Sequence, residues 1–230
     1  MLLGSCVSMR RAALMLGVHP ITIARKLEYL SRELSKKTAK QLSEYAHAQA
    51  VQFDELQTIE HTKCKPLSVA MAVSKRSRKI LGFQVSSMPA TGHLARISRK
   101  KYGYRKDDRR HGLRTLFKAL QDLLDPKIDI QSDQCAYYGS IVKKHFPKAN
   151  YNQFKGQKGA VTGQGELKKT AWDPLFAINH TFAMLRANIN RLVRRTWCTT
   201  KKTSRLIDHL NIYVWLHNNR LTLNKKAVII

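Results

Sequence analysis

The apolar pattern of this chain changes period near residue 50, which restricts it to an α/β architecture with a helical element in front. Upstream, residues 8–31 (SMRRAALMLGVHPITIARKLEYLS) predict two short helices. Ser8 is placed to cap the first, whose Ala12, Ala13, Leu14 and Leu16 form one face. Gly17 supplies a tight turn, and Pro20 suits the first position of the second helix. There Ile21, Ile23 and Leu27 point inward, leaving Thr22, Arg25 and Lys26 outward. Two helices joined at a glycine have the form of a helix-turn-helix with its second helix aimed at the major groove, a pattern that any helical hairpin also satisfies. Residues 32–50 read as a polar connecting helix, so an all-α module over 1–46 precedes a second domain over 47–230.

From Val51 the period is that of strands. VQFDELQTIE, KPLSVAMAVS and ILGFQVSSM predict an antiparallel meander with short turns. The basic stretch TGHLARISRKKYGYRKDDRR has no clear period and reads as a loop. HGLRTLFKALQDLL is then helical, IDIQSD a short strand, YYGSIVKKHFP a helix and YNQF a strand. A glycine-rich stretch (KGQKGAVTGQGELKK) leads to a long helix from Asp173 to about Thr196, and RLIDHLNIYVWLHNN forms the last one. Three strands, helix, strand, helix, strand, helix is the order of a ribonuclease-H-like domain, a mixed sheet with helices on both faces, although many α/β domains share parts of it.

Charge restricts the partner. There are 42 Lys and Arg against 15 Asp and Glu, a net charge of +27. Such an excess repels itself unless a polyanion binds, and double-stranded DNA is the leading candidate because neutralised phosphates release counterions. No apolar run approaches the roughly 18 residues of a membrane span. Met1–Val7 lacks a basic start and a small-residue cleavage site, so a cytoplasmic, nucleoid-associated protein is expected. Cys6, Cys64, Cys135 and Cys198 form no C-x-x-C pair, which excludes a zinc ribbon and argues against a disulfide framework.

With so few carboxylates, each can be assigned. Most belong to helix starts or polar helix faces, including Asp173 as a cap and Asp208 on the last helix. Asp54 stands inside the first strand between Phe53 and Leu56, where a carboxylate costs desolvation unless something positive neutralises it. Asp133 ends the IDIQSD strand, and strand ends are where open α/β sheets bind ligands. If the first and fourth strands are neighbours the two aspartates converge, and a bridging Mg²⁺ would relieve their repulsion. Paired ions about 3.5–4 Å apart drive in-line displacement at phosphorus, giving a nick with water and strand transfer with a DNA 3′-hydroxyl. The bland alternative makes Asp54 an edge-strand surface residue and Asp133 a turn former. A DNA-binding regulator with an α/β ligand or dimer domain would then fit, with the aspartates far apart.

QFDELQT, SDQCAYY and INHTFAMLRANINRLVRRTWCTTKK together resemble the catalytic segments of DDE-type transposases from small bacterial insertion sequences, the group typified by insertion sequence one. The resemblance spans the helix-turn-helix to about Asn219. It implies that Asp54 and Asp133 are the first two metal-binding members of the triad and that the third falls on Asn179, where a related set also carries Asn. An Asn carbonyl ligates Mg²⁺ without adding charge. His180 is a nitrogen donor better suited to Mn²⁺, or a plain polar-face residue, and Glu166 is a substitute if its loop folds inward. Arg186 lies two turns beyond Asn179 on one helix face and matches the family's basic companion to the triad. With Arg186, the residues Arg191, Arg194, Arg195, Lys201, Lys202 and Arg205 make an acid-free stripe suited to phosphates, and Trp197 adds a stacking surface. The resemblance implies terminal inverted repeats and target DNA as partners, a homo-oligomer on DNA, and a cysteine zinc ribbon ahead of the helix-turn-helix that these cysteines do not form. A decayed relative that binds DNA without cutting fits the same segments.

Overall fold

A computed structural model describes residues 1–43, 48–155, 173–193 and 197–221. Its centre is a five-stranded sheet of order β3-β2-β1-β4-β5, built from β1 (Ala50–Glu60), β2 (Thr62–Ser74), β3 (Ile80–Ser87), β4 (Asp129–Asp133) and β5 (Asn150–Phe154). The first three strands are antiparallel, and β4 and β5 join β1 in parallel, so the sheet is mixed as expected. Its helices are α3 (His93–Tyr102), α4 (Arg109–Gln121), α5 (Tyr138–His145), α6 (Phe176–Asn188) and α7 (Thr203–Leu216), preceded by α1 (Met9–Met15) and α2 (Pro20–Leu42).

The two faces of the sheet follow directly from alternation. Val69, Met71 and Val73 of β2 join Leu56 of β1 in a core with Ile178, Phe182 and Leu185 of α6 and Leu206, Leu210 and Tyr213 of α7. On the other face Val51, Phe53, Ala70 and Ala72 pack against Leu113, Leu116 and Phe117 of α4 and Ile141 and Val142 of α5. Small residues let α4 approach closely: a Cβ added at Gly112 would lie 2.0 Å from Ser86 Oγ.

Three expectations change. The stretch from Thr91 to Arg110 is not all loop, because it contains α3, fixed to the sheet by a buried Ser98 hydroxyl that donates to the Cys64 carbonyl at 2.6 Å. The helix opening after Asp173 stops at Asn188, where Ile189 turns extended and buries its side chain. At the front, Ser8 does cap α1 and Gly17 takes φ +62°, but the second helix does not stop near Ser31; it runs unbroken to Leu42. Polar contacts carry the extension along α7. Asn211 donates to Ser31 Oγ at 3.0 Å, Gln41 and Asn219 exchange two amide hydrogen bonds at 3.0 and 3.1 Å, and Glu28 meets Arg205 at 2.6 Å. Ala12, Ala13 and Ile23 form a small core with Leu2 and Leu3, while Leu14, Leu16 and Ile21, expected inward, are exposed. The expected boundary after residue 46, the Gly-rich stretch with Glu166, and Arg194 and Arg195 lie outside the described residues. Among the described residues no helix is long and apolar enough to cross a membrane.

Candidate active site

Strands β1 and β4 pair only over Ala50–Gln52 and Asp129–Gln131, and then part. Asp54 and Asp133 each lie two residues past the last pair, Gln52 with Gln131, so the register sets them level with one another on the same face. Beyond them β4 ends, whereas β1 continues with β2 to Glu60, a further six residues or about 20 Å. The aspartates therefore occupy a notch where a five-stranded sheet narrows to three strands.

Both carboxylates are held in the same way. Asp54 Oδ1 accepts from the Glu55 backbone N–H at 2.7 Å and from the Tyr138 hydroxyl at 3.3 Å. Asp133 Oδ1 accepts from the Cys135 backbone N–H at 3.1 Å. Among the described residues no hydrogen bond reaches Oδ2 of either. Burial, followed by the nearby charge of Asp133, outweighs these donors and pushes Asp54 up to about 7. Burial and the surrounding carboxylates raise Tyr138 as well, so it remains a proton donor. Two half-buried carboxylates that repel one another, each with one oxygen left over, form a hard-oxygen donor set that fits a divalent cation such as Mg²⁺ or Mn²⁺. Among the described residues no group of three or more His, Cys, Asp or Glu makes a cluster.

The next anchor was missed by sequence reasoning. Gln52 is 1% exposed, and its Nε2 donates to Gln131 Oε1 at 2.9 Å and to the Pro174 carbonyl at 2.7 Å, while its Oε1 accepts from the Ile178 N–H at 3.2 Å. One carboxamide thus joins β1, β4 and the start of α6. A signal for it exists in the sequence, because each aspartate ends the same motif, Gln-x-Asp, as Gln52-Phe53-Asp54 and Gln131-Ser132-Asp133.

Asn179 is the fourth residue of α6, the helix that Gln52 pins, but its exposed side chain donates to Asp173 Oδ2 at 2.9 Å, and no hydrogen bond joins it to Asp54 or Asp133. Asp173 also accepts the Leu175 N–H at 2.9 Å in a turn just ahead of α6, whose N-cap is Leu175 with no side-chain cap hydrogen bond, so the capping role expected of Asp173 is not the one it takes. His180 faces Arg78, whose Nη1 lies 3.3 Å from Nδ1; burial, then that cation, holds the imidazole below its usual value. Arg186 is half-buried on the same helix. Arg191 is buried and donates to His209 Nδ1 at 3.3 Å, so it belongs to the core and not to an exposed phosphate stripe. Lys201 and Lys202 are exposed, with Lys201 Nζ 3.1 Å from His61 Nδ1, and Trp197 is fully exposed. Arg205 is occupied by Glu28 and Asp208. Thr22, Arg25 and Lys26 all face solvent on α2, and Lys26 lies over the Tyr29 ring.

No protein-family model matches the chain, and no curated protein matches it. Among solved structures it is similar to the crystal structure of the catalytic domain of Mos1 mariner transposase, at 12% identity and a TM-score of 0.40, with 86% of this chain and 89% of that chain covered.

The Asp54 carboxyl carries a pH dependence. Its folded value of about 7 lies above the ordinary 3.8, so between those values the native state holds a proton that the unfolded chain lacks. Without divalent metal, the stability this group contributes is fully present below about pH 4 and is lost as pH rises through about 7, by on the order of 4 kcal/mol. Urea unfolding in EDTA at pH 5 and pH 8 is expected to show well over half of that loss, about 2.5 kcal/mol, and Asp54→Asn to remove most of it. An unchanged slope in Asp54→Asn would assign the loss to other groups.

Proposed function

We propose that this protein is a transposase of the DDE type, which binds element-end DNA and uses divalent metal ions at Asp54 and Asp133 to cleave and join phosphodiester strands. The observation that carries the reading is the level placement of the two aspartates in the notch between β1 and β4. The strand order β3-β2-β1-β4-β5 supports a ribonuclease-H-like domain. Asp54 and Asp133 would hold Mg²⁺, with Mn²⁺ as a substitute, and Asn179 would contribute its amide oxygen once its hydrogen bond to Asp173 yields. Bound ions would supply activation of the attacking oxygen and stabilisation of the leaving one. The Tyr138 hydroxyl and the Glu55 and Cys135 N–H groups orient the carboxylates, and Gln52 holds α6 beside them. Arg186 is assigned to a phosphate near the site. Thr22, Arg25 and Lys26 on α2, together with Lys201 and Lys202, are assigned to duplex DNA, including the terminal inverted repeats and the target, with a homo-oligomer assembling on it.

A second reading, DNA binding without cutting, is favoured by the Asn179–Asp173 hydrogen bond. The deciding experiment is nicking of a supercoiled plasmid carrying the element's ends, with Mg²⁺ or Mn²⁺ titrated. The parent nicks. Asn179→Ala is expected to need about tenfold more metal, and Asn179→Glu less, because a carboxylate adds charge to the donor set. No nicking by the parent or by Asn179→Glu would favour the second reading.

A further inference from the structure

We propose that α3 and the turn after it form a binding surface for an unpaired nucleic-acid strand, separate from the aspartate notch. Residues 61–106 contain twelve Lys or Arg and no Asp or Glu. α3 concentrates that charge: Arg96, Arg99 and Lys100 are exposed and lie at i, i+3 and i+4, on one helix face. None of the three is ion-paired among the described residues.

The helix is firmly seated. Ser98 binds the Cys64 carbonyl, and Arg105 donates to the Met88 and Pro66 carbonyls at 3.4 and 3.3 Å and lies 3.8 Å from Glu60. Gly103, at φ +73°, turns the chain so that Tyr104 stands 79% exposed. Arg96, Arg99, Lys100, Tyr104 and Arg105 line one groove of about 590 Å³. Basic side chains in the last turn also favour a helix C-terminus, which accounts for Arg99 and Lys100 but not for Arg96 or for an exposed ring beside them. Cations that track a backbone next to an unstacked aromatic fit a strand whose bases are free to stack, whereas a duplex keeps its base faces covered. The surface lies at the far end of the β1–β2 arm, so a strand leaving the notch along β1 would reach it after about 20 Å. It extends the DNA-acting reading by placing an unpaired strand, but binding there requires neither metal nor cleavage.

The test is fluorescence anisotropy of a labelled oligothymidylate and of a duplex of equal length, in EDTA, with the full chain at several salt concentrations. Arg96→Ala/Arg99→Ala/Lys100→Ala is expected to weaken oligothymidylate binding by about tenfold or more and to lower the salt slope by about 2. Tyr104→Ala is expected to weaken it by about tenfold with the slope unchanged and duplex affinity little altered. A control, Lys143→Ala/Lys144→Ala/Lys148→Ala, removes equal charge from exposed positions on and just after α5, with an expected loss under about threefold. An equal loss in that control, an unchanged affinity in Tyr104→Ala, or an equal loss of duplex binding in Tyr104→Ala overturns the proposal. These outcomes leave the cleavage reading untouched, because Asp54 and Asp133 are intact in every variant.

Discussion

Asp133→Ala is expected to reduce metal-dependent nicking about a thousandfold or more, the rate equivalent of about 4 kcal/mol. The side chain supplies one of the two carboxylates level with each other in the notch, and without it Asp54 is left as a single carboxylate with half the charge of the donor set. Loss of function by unfolding is distinguishable. Asp133 contributes to the repulsion that raises Asp54, so removing it relieves the metal-free fold of an unfavourable interaction. In EDTA the variant should therefore unfold at the parent temperature or above it, while the rise that Mg²⁺ gives the parent disappears. Nicking equal to that of the parent would identify a contaminating nuclease and sink the assignment of Asp133.

Gln52→Leu is expected to cost about 3 kcal/mol or more, because a buried substitution of similar size leaves Gln131, the Pro174 carbonyl and the Ile178 N–H without their partner. The denaturation midpoint should fall with an unchanged slope on denaturant. Adding Gln131→Leu removes one orphan and should recover part of the stability, but the start of α6 stays untethered. Stability and nicking are thus expected to separate in the double variant: the fold is partly rescued and the activity is not. A single variant within about 0.5 kcal/mol of the parent would show that the carboxamide is not the anchor of α6.

What could be read from the sequence divides along physical lines. β1 to β4 were legible because apolar patterning along a strand is a local property, and Asp54 stood out because a carboxylate within a central strand costs desolvation. α3 was not legible: the residue that seats it is Ser98, buried by a hydrogen bond and not by apolarity, and its exposed surface mixes basic side chains with Ala95 and Ile97. That the second helix and the connecting helix are one was hidden for the same reason, since Ser31, Gln41 and Glu28 find their partners on α7 or just beyond it, far along the chain. Arg191 read as a phosphate contact from its basic neighbours, and only the position of His209 turns it inward. The partner of Asn179 was not legible either, because it depends on where Asp173 folds.

Three paired residues are a short join between two parallel strands, and apolar side chains alone would accept more than one alignment there. Sliding β4 by two positions keeps every apolar residue on its own face, so the cores would scarcely object. The Gln52–Gln131 contact does. A two-residue slip sets Gln52 against Asp129 or Asp133 and strands an amide in the interior. The paired glutamines therefore act as a detent that admits one alignment, the one in which two acidic side chains arrive side by side.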